Sequence, residues 1–278
     1  MSTLTVDDRA PISAWRPYVS QLWQRREFGW FLAMGNLRAR NASTLLGLFW
    51  WIVNPVLMAL IYFVVFGLIF PGTRGAEHQF LSYLMSGVFV FNFVATSMTS
   101  GANSILANSR LLVNIRFPRL ILPMSAIFET SVGFLASLLV FYLIAWPVNG
   151  IAPGWTLLAL PPVFLASAIF NLGLASLTAR LAIPFRDINN LIPHITRLWL
   201  YLSPIIWPVA FLESLPTWAE RIFKANPMYS MLEAYRFVLM GRPLGRNEVI
   251  MLAIWVVVIG FGGILSFVRF EGNMVRYL

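Results

Sequence analysis

Few side chains in this sequence could do covalent chemistry. A nucleotide-binding loop needs Gly-Lys-Ser/Thr to hold phosphates, but the only lysine, Lys224, follows Phe223 and precedes Ala225. The two histidines, His78 and His194, lie far apart in sequence, and cysteine is absent. Neither a metal site nor a His-based catalytic set is therefore indicated. No close pair of carboxylates suggests a sugar-nucleotide metal site. Glu129 is the one acid well inside an apolar run. A carboxylate at that depth is a functional candidate, and a hydrogen-bonded group at a helix–helix contact accounts for it as well.

The residues set out in patterns are arginines and aromatics. Between Asn108 and Pro123 a short polar island separates two long apolar runs and carries Arg110, Arg116 and Arg119 with no acid. Leu111, Leu112 and Ile115 share one face of about two helical turns, which Phe117-Pro118 stops, because a proline disfavours helix in the residue before it. Such a helix suits contact with a cytosolic partner; a solvated positive-inside loop is the other reading. Aromatics fall in the apolar runs: Trp50, Trp51, Tyr62 and Phe66 in the first, Phe89, Phe91 and Phe93 in the second, Trp199, Tyr201 and Trp207 in the fifth. Their faces can stack on sugar rings, although membrane aromatics more often anchor or pack.

The elements that position these residues are membrane helices. The chain is 59% hydrophobic and 11% charged, with mean hydropathy +0.74, which is the composition of a polytopic membrane protein. Its net charge of +9 falls mostly beside apolar runs, so topology and anionic lipid explain it and nucleic acid is not expected as a partner. Trp15, Leu22 and Trp23 alternate with Arg25 and Arg26 in a stretch ending near Trp30, which predicts an amphipathic helix in the membrane interface; one packed on the rest of the protein is the other reading. A basic connector, Arg38 to Arg40, follows it.

Six runs are long enough to cross the hydrocarbon: Leu45–Phe70, Phe80–Ala107, Leu120–Trp146, Leu157–Ile183, Leu191–Leu212 and Val249–Phe267. The expected fold is all-α, a single membrane domain. It comprises cytoplasmic interface and gate helices over 1–44, a six-span bundle over 45–268 and a cytoplasmic tail over 269–278. The arginine bias puts both termini in the cytoplasm. Between spans five and six, Asn226-Pro227 reads as a helix cap followed by proline at the first helical position. That helix ends at Gly241 and belongs to short surface or re-entrant helices.

Four motifs in order make the chain resemble the permease subunits of ABC type-2 polysaccharide exporters. They are Leu46-Gly47-Leu48-Phe49-Trp50 with Asn54-Pro55, the Asn108–Pro123 island, Phe185-Arg186-Asp187-Ile188 with Ser203-Pro204-Ile205-Ile206, and Asn226-Pro227-Met228 with Tyr235-Arg236. Asn41-Ala42-Ser43 departs from the family pattern. The resemblance implies a bacterial cytoplasmic-membrane homodimer joined to two copies of a cytosolic ATPase chain. ATP and Mg would belong to that partner, and this chain would need no cofactor. By the same resemblance the cargo would be a polyprenyl-diphosphate-linked polysaccharide, an O-antigen or a cell-wall galactan. Asn108, Arg110, Leu111, Leu112, Ile115, Arg116 and Phe117 would couple to the ATPase. Arg38, Arg40 and Arg186 would admit the lipid diphosphate, and Trp50, Trp51, Tyr62, Phe66, Phe89, Trp199, Tyr201 and Trp207 would line the channel. Asn226, Pro227, Tyr235 and Arg236 would belong to the outer mouth. A drug or lipid permease, or less readily a membrane glycosyltransferase, is the alternative.

Overall fold

The computed structural model describes residues 15–41, 44–45, 47–65, 79–115 and 117–276. Among these residues there are helices and short 3-10 turns but no strand. The amphipathic N-terminal stretch forms two helices, α1 (Trp15–Gln24) and α2 (Arg26–Asn41), and the expected basic connector is the last turn of α2. The first apolar run supplies α3 (Trp50–Tyr62). Then come α4 (Phe80–Ala107), a short α5 (Ser109–Asn114), α6 (Ile121–Asn149) and α7 (Leu160–Ala182). Helix α7 is entered through a 3-10 turn that starts at Trp155. The last long element runs from Arg246 to Phe270 as α11 (Arg246–Trp255), a π turn (Val256–Phe261) and α12 (Gly262–Phe270).

Four helical segments among the described residues are long and apolar enough to cross a membrane: Phe80–Ala107, Ile121–Asn149, Trp155–Ala182 and Arg246–Phe270. Even the shortest, at 25 residues, exceeds the roughly 30 Å of hydrocarbon at about 1.5 Å per residue. The fifth run behaves differently. Its helix, α8 (Ile188–Tyr201), has 14 residues and measures about 21 Å. The chain then turns through Leu202–Pro208. Pro204 and Pro208 have no N–H to continue the ladder, and each restrains the residue before it.

Helix α4 is the centre of the bundle and touches α3, α6, α7, α8 and α10. One ring from each of three helices, Phe93 of α4, Phe134 of α6 and Phe164 of α7, stack nearly parallel, with centroids 4.5 to 6.4 Å apart. Tyr235 meets Phe134 edge-on, and its hydroxyl lies 2.7 Å from Ser167 Oγ. Helix α7 closes on the last helix through glycine. A Cβ on Gly173 would collide with the Ile259 carbonyl and the Gly260 backbone, and one on Gly263 with the Gly173 carbonyl. Small residues at these crossings let backbones touch, as helices packed in lipid require. Outward, α6 shows Leu135, Leu139, Leu143 and Trp146, 45–63% exposed. An apolar stripe of that length is stable only against lipid or protein, which makes this a multi-pass membrane protein.

At the end of the bundle away from α1 and the final 3-10 turn (Glu271–Arg276), a 3-10 turn (Val209–Ser214), α9 (Thr217–Ala225) and α10 (Pro227–Met240) close it. Asn226 Oδ1 accepts from Met228 N at 3.0 Å and from Trp199 Nε1 at 2.9 Å. Its amide donates to Ser203 Oγ at 3.1 Å. Gly241 (φ 68°) ends the helix in the left-handed conformation, where a side chain would be strained. Asn226→Ala removes the cap and strands the Trp199 N–H, so it should lower stability by about 1–2 kcal/mol, measurable as a lower midpoint of thermal unfolding in detergent.

Candidate functional site

The α4 surface that its neighbours leave open is polar. Asn92, Thr99 and Asn103 are exposed, and Thr96 is half-buried between them. Their spacing of three to four residues puts them on one helix face. Both hydroxyl hydrogens of this stripe, and one amide hydrogen, are committed to its own helix. Thr96 donates to Asn92 O at 2.6 Å, Thr99 to Ala95 O at 3.1 Å and Asn103 to Thr99 O at 3.0 Å. Polar groups at this depth belong against water or another protein surface, not lipid.

Two recesses flank the stripe. One, of about 110 Å³, lies between α3, α4 and α6 and is lined by Trp50, Asn54, Phe89, Asn92 and Thr130 among others. The larger, of about 450 Å³, lies between α3, α4 and α8 and is lined by Tyr62, Phe91, Thr96, Thr99, Arg197 and Tyr201 among others. Trp50 thus borders one recess, and Tyr62 and Tyr201 the other, on either side of the polar stripe. Phe89 is only 3% exposed and reaches the smaller recess from the core. Trp199 is turned to the Asn226 cap and stands edge-on to Phe91 at 6.4 Å. Trp207 donates to Tyr201 O at 3.1 Å and packs on Phe211 and Phe223. Phe66 and the Trp51 side chain lie outside the described residues.

At the α10 end, Arg236 is fully buried. Its guanidinium sits 3.6 Å above the Tyr83 ring, donates to Pro204 O at 2.6 Å and pairs with Glu233 Oε1 at 2.9 Å. Tyr83 in turn donates to the carbonyls of Pro204 (3.1 Å) and Trp207 (3.0 Å). Arg236 and Tyr83 thereby bind the turn after α8 to both α4 and α10. Pro227 starts α10 and Tyr235 faces the core.

At the opposite end, Asn108 joins α4 to α5 and donates to Ser104 O at 2.8 Å. On α5 and after it, Arg110 and Ile115 are exposed. Leu111 is half-buried, and Leu112 packs inward on a cluster that includes Ile105, Leu122 and Met274. Phe117 also joins that cluster and meets Phe28 of α2 edge-on at 5.1 Å. Only part of the expected Leu111, Leu112 and Ile115 face therefore points outward, and Arg116 lies outside the described residues. On α1, Leu22 packs inward. Trp23 is 70% exposed, Arg26 lies over its ring at 5.0 Å, and Arg25 is exposed at the bend into α2. The Trp15 side chain lies outside the described residues.

Arg38 is exposed on α2, which packs on α6, and Arg186 is exposed in the connection between α7 and α8. The Arg40 side chain lies outside the described residues. Tyr18 of α1 donates to Glu271 Oε2 at 2.6 Å, and the backbone N–H of Arg119 donates to Glu271 Oε1 at 2.8 Å. Burial pushes the Glu271 carboxyl up, against the pull of these donors and the Arg119 charge. Burial, with the neighbouring carboxylate second, pushes the Tyr18 hydroxyl up. The sequence reading missed Tyr18, Tyr83 and Glu271, which nothing in their spacing distinguishes. Thr96, Thr99 and Asn103 did carry a signal, their helical period.

The chain matches the family model described as ABC-2 type transporter over residues 29–240. It is 27% identical over 233 residues to a Myxococcus xanthus protein named O-antigen export system permease protein RfbA, covering 84% of this chain and 88% of that one. Two Klebsiella pneumoniae proteins of the same name are 25% and 26% identical over 244 residues, 87% of this chain and 92% of each.

Proposed function

We propose, from the premise that this chain belongs to the ABC-2 type transporter family, that it is the membrane subunit of an ATP-driven exporter for a polyprenyl-diphosphate-linked polysaccharide. As a transporter's membrane subunit it is not an enzyme, and ATP is hydrolysed by a separate ABC ATPase. The observation that carries the polysaccharide reading is the near full-length match to permeases named for O-antigen export. Those names favour an O-antigen over a galactan.

In this reading the chain is one membrane domain, with 1–44 and 269–278 at the cytoplasmic face and six spans over 45–268. Helices α3 and α8 belong to the first and fifth of these. Two copies face each other across the polar stripe of α4 in the bacterial cytoplasmic membrane, and α9 and α10 cap the outer mouth. Between the copies the stripe and the recesses bordered by Trp50, Tyr62 and Tyr201 carry the polymer, held by stacking contacts of about 0.5–1.5 kcal/mol each. Arg38, Arg40 and Arg186 receive the diphosphate, and two ATPase subunits dock on α5 and its flanks.

The test is reconstitution with the co-expressed ATPase in lipid vesicles. Lipid-linked O-antigen should stimulate ATP hydrolysis, whereas a drug or a plain phospholipid should not. Ile115→Asp places a charge in the ATPase contact without touching the inward cluster, and burying it unpaired costs about 3–5 kcal/mol. That variant should insert normally yet lose the ATPase on co-purification. Retention of the ATPase at full stoichiometry would move the docking surface off α5.

A further inference from the structure

The segment after α12 is built into the fold. It forms a 3-10 turn (Glu271–Arg276), and Met274 within it is fully buried. Met274 enters the same apolar cluster as Ile105 at the end of α4, Leu112 of α5, Leu22 of α1 and Leu32 of α2. Three hydrogen bonds fix its first residue. Both carboxylate oxygens of Glu271 are used, one by the Tyr18 hydroxyl at 2.6 Å and the other by the Arg119 N–H at 2.8 Å. The Arg119 guanidinium donates to the Glu271 carbonyl. Arg119 precedes the first turn of α6, whose N-cap, Leu120, has no capping side chain. Glu271 therefore supplies, from the far end of the chain, the acceptor and negative charge that a helix N-terminus favours. At the end of α12, Arg180 of α7 lies over the Phe270 ring at 5.2 Å and donates to Ser266. These contacts hold the end of α12, to which the turn is joined, against α7.

We propose that Glu271 is a positioning residue for energy coupling. Its carboxylate ties the segment following α5 to α1, so that displacement of α5 by the ATPase is delivered to α1, α6 and α12 together. This rests on the reading of α5 as the ATPase contact. The physical ground is that the apolar cluster can slide, whereas a carboxylate held from two sides by directional hydrogen bonds cannot stretch without losing them.

The experiment measures polymer exported per ATP hydrolysed, in vesicles that contain the full complex. Glu271→Ala, which removes both bonds, should lower that ratio about tenfold, the scale of a typical coupling free energy. Glu271→Gln keeps an acceptor for Arg119 N and a donor for the Tyr18 oxygen, and should restore most of the ratio. Tyr18→Phe deletes a single oxygen and serves if Glu271→Ala does not assemble. It should lower the ratio in part and add little to Glu271→Ala. Export and hydrolysis falling together at an unchanged ratio, in Tyr18→Phe or Glu271→Ala, would mean a merely structural turn and overturn the proposal. So would an unchanged ratio with full activity. If Ile115→Asp keeps its ATPase, the α5 reading fails; if it loses the ATPase while the Glu271 and Tyr18 variants leave the ratio unchanged, only the Glu271 proposal fails.

Discussion

Gly173→Leu is expected to remove folded protein from the membrane. At this position α7 and the last helix touch backbone to backbone, and even a single Cβ would meet the Ile259 carbonyl and the Gly260 chain. Nothing flexible lines the contact, so the atoms in the way cannot turn aside as a side chain could. The π turn over Val256–Phe261 already departs from regular helix here and leaves its carbonyls close to Gly173. Gly173→Ala should cost about 1–3 kcal/mol by overpacking, and leucine considerably more. The contact also sets the angle between two long helices, so the error spreads along both. Size-exclusion chromatography of fluorescently tagged protein, solubilised in detergent, should show a shrunken, aggregated peak for leucine and a lowered melting point for alanine. Gly35→Ala is the control. It lies in α2 with nothing within 4 Å of the added carbon, and relief of glycine entropy should stabilise it by about 0.5–1 kcal/mol. A Gly173→Leu peak like that of the parent would show that the two helices can part without loss of fold.

Arg236→Ala carries the second large effect. The guanidinium is fully buried, stacked on Tyr83 and bonded to Pro204 O and Glu233. Its loss leaves Glu233 without its cation and Pro204 O with only the Tyr83 hydroxyl. Breaking a buried pair of this kind costs about 3–5 kcal/mol. Arg236→Lys should recover only a fraction, because an ammonium can keep the Glu233 pair but not the planar stack and the second bond together. Hydrogen exchange should locate the damage. Amides from Leu202 to Trp207 should gain exchange about as fast as the loss of global stability allows, with those of α6 less affected. A uniform rise across the chain would mean that Arg236 stabilises the whole bundle and not the turn after α8.

The parts of this architecture legible in the sequence are those set by bulk hydrophobicity and by capping. The second run, Phe80–Ala107, has the limits of α4, and Asn226, Pro227 and Gly241 bound α10 as their types require. What the sequence hides is direction. Leu111, Leu112 and Ile115 look alike in a helical projection, yet Leu112 turns inward onto a cluster whose members, from Ile105 to Met274, come from distant parts of the chain. The break after Tyr201 was hidden for a related reason, since Ile205, Ile206 and Trp207 continue an apolar run while Pro204 and Pro208 end the helix. Arg236 reads as a polar surface residue near the outer mouth. It is buried because Tyr83 and Pro204 meet it there, and only tertiary structure could bring them together.

The Thr96 and Thr99 hydroxyls along α4 spend their hydrogens on their own backbone, and Asn103 spends one of its two, which bears on how a long, hydroxyl-rich chain would travel past them. A sugar sliding along the proposed path would meet the lone pairs of these hydroxyls and the faces of rings, with donors confined to a few points such as Asn92 and Arg197. Each repeat therefore leaves one position nearly as easily as it takes the next. The proposed path would then have low friction and little preference among sugars. Discrimination between polymers then falls to whatever recognises the carrier lipid or the first residues of the chain, and a permease of this kind could adopt a new repeat unit without rebuilding its interior.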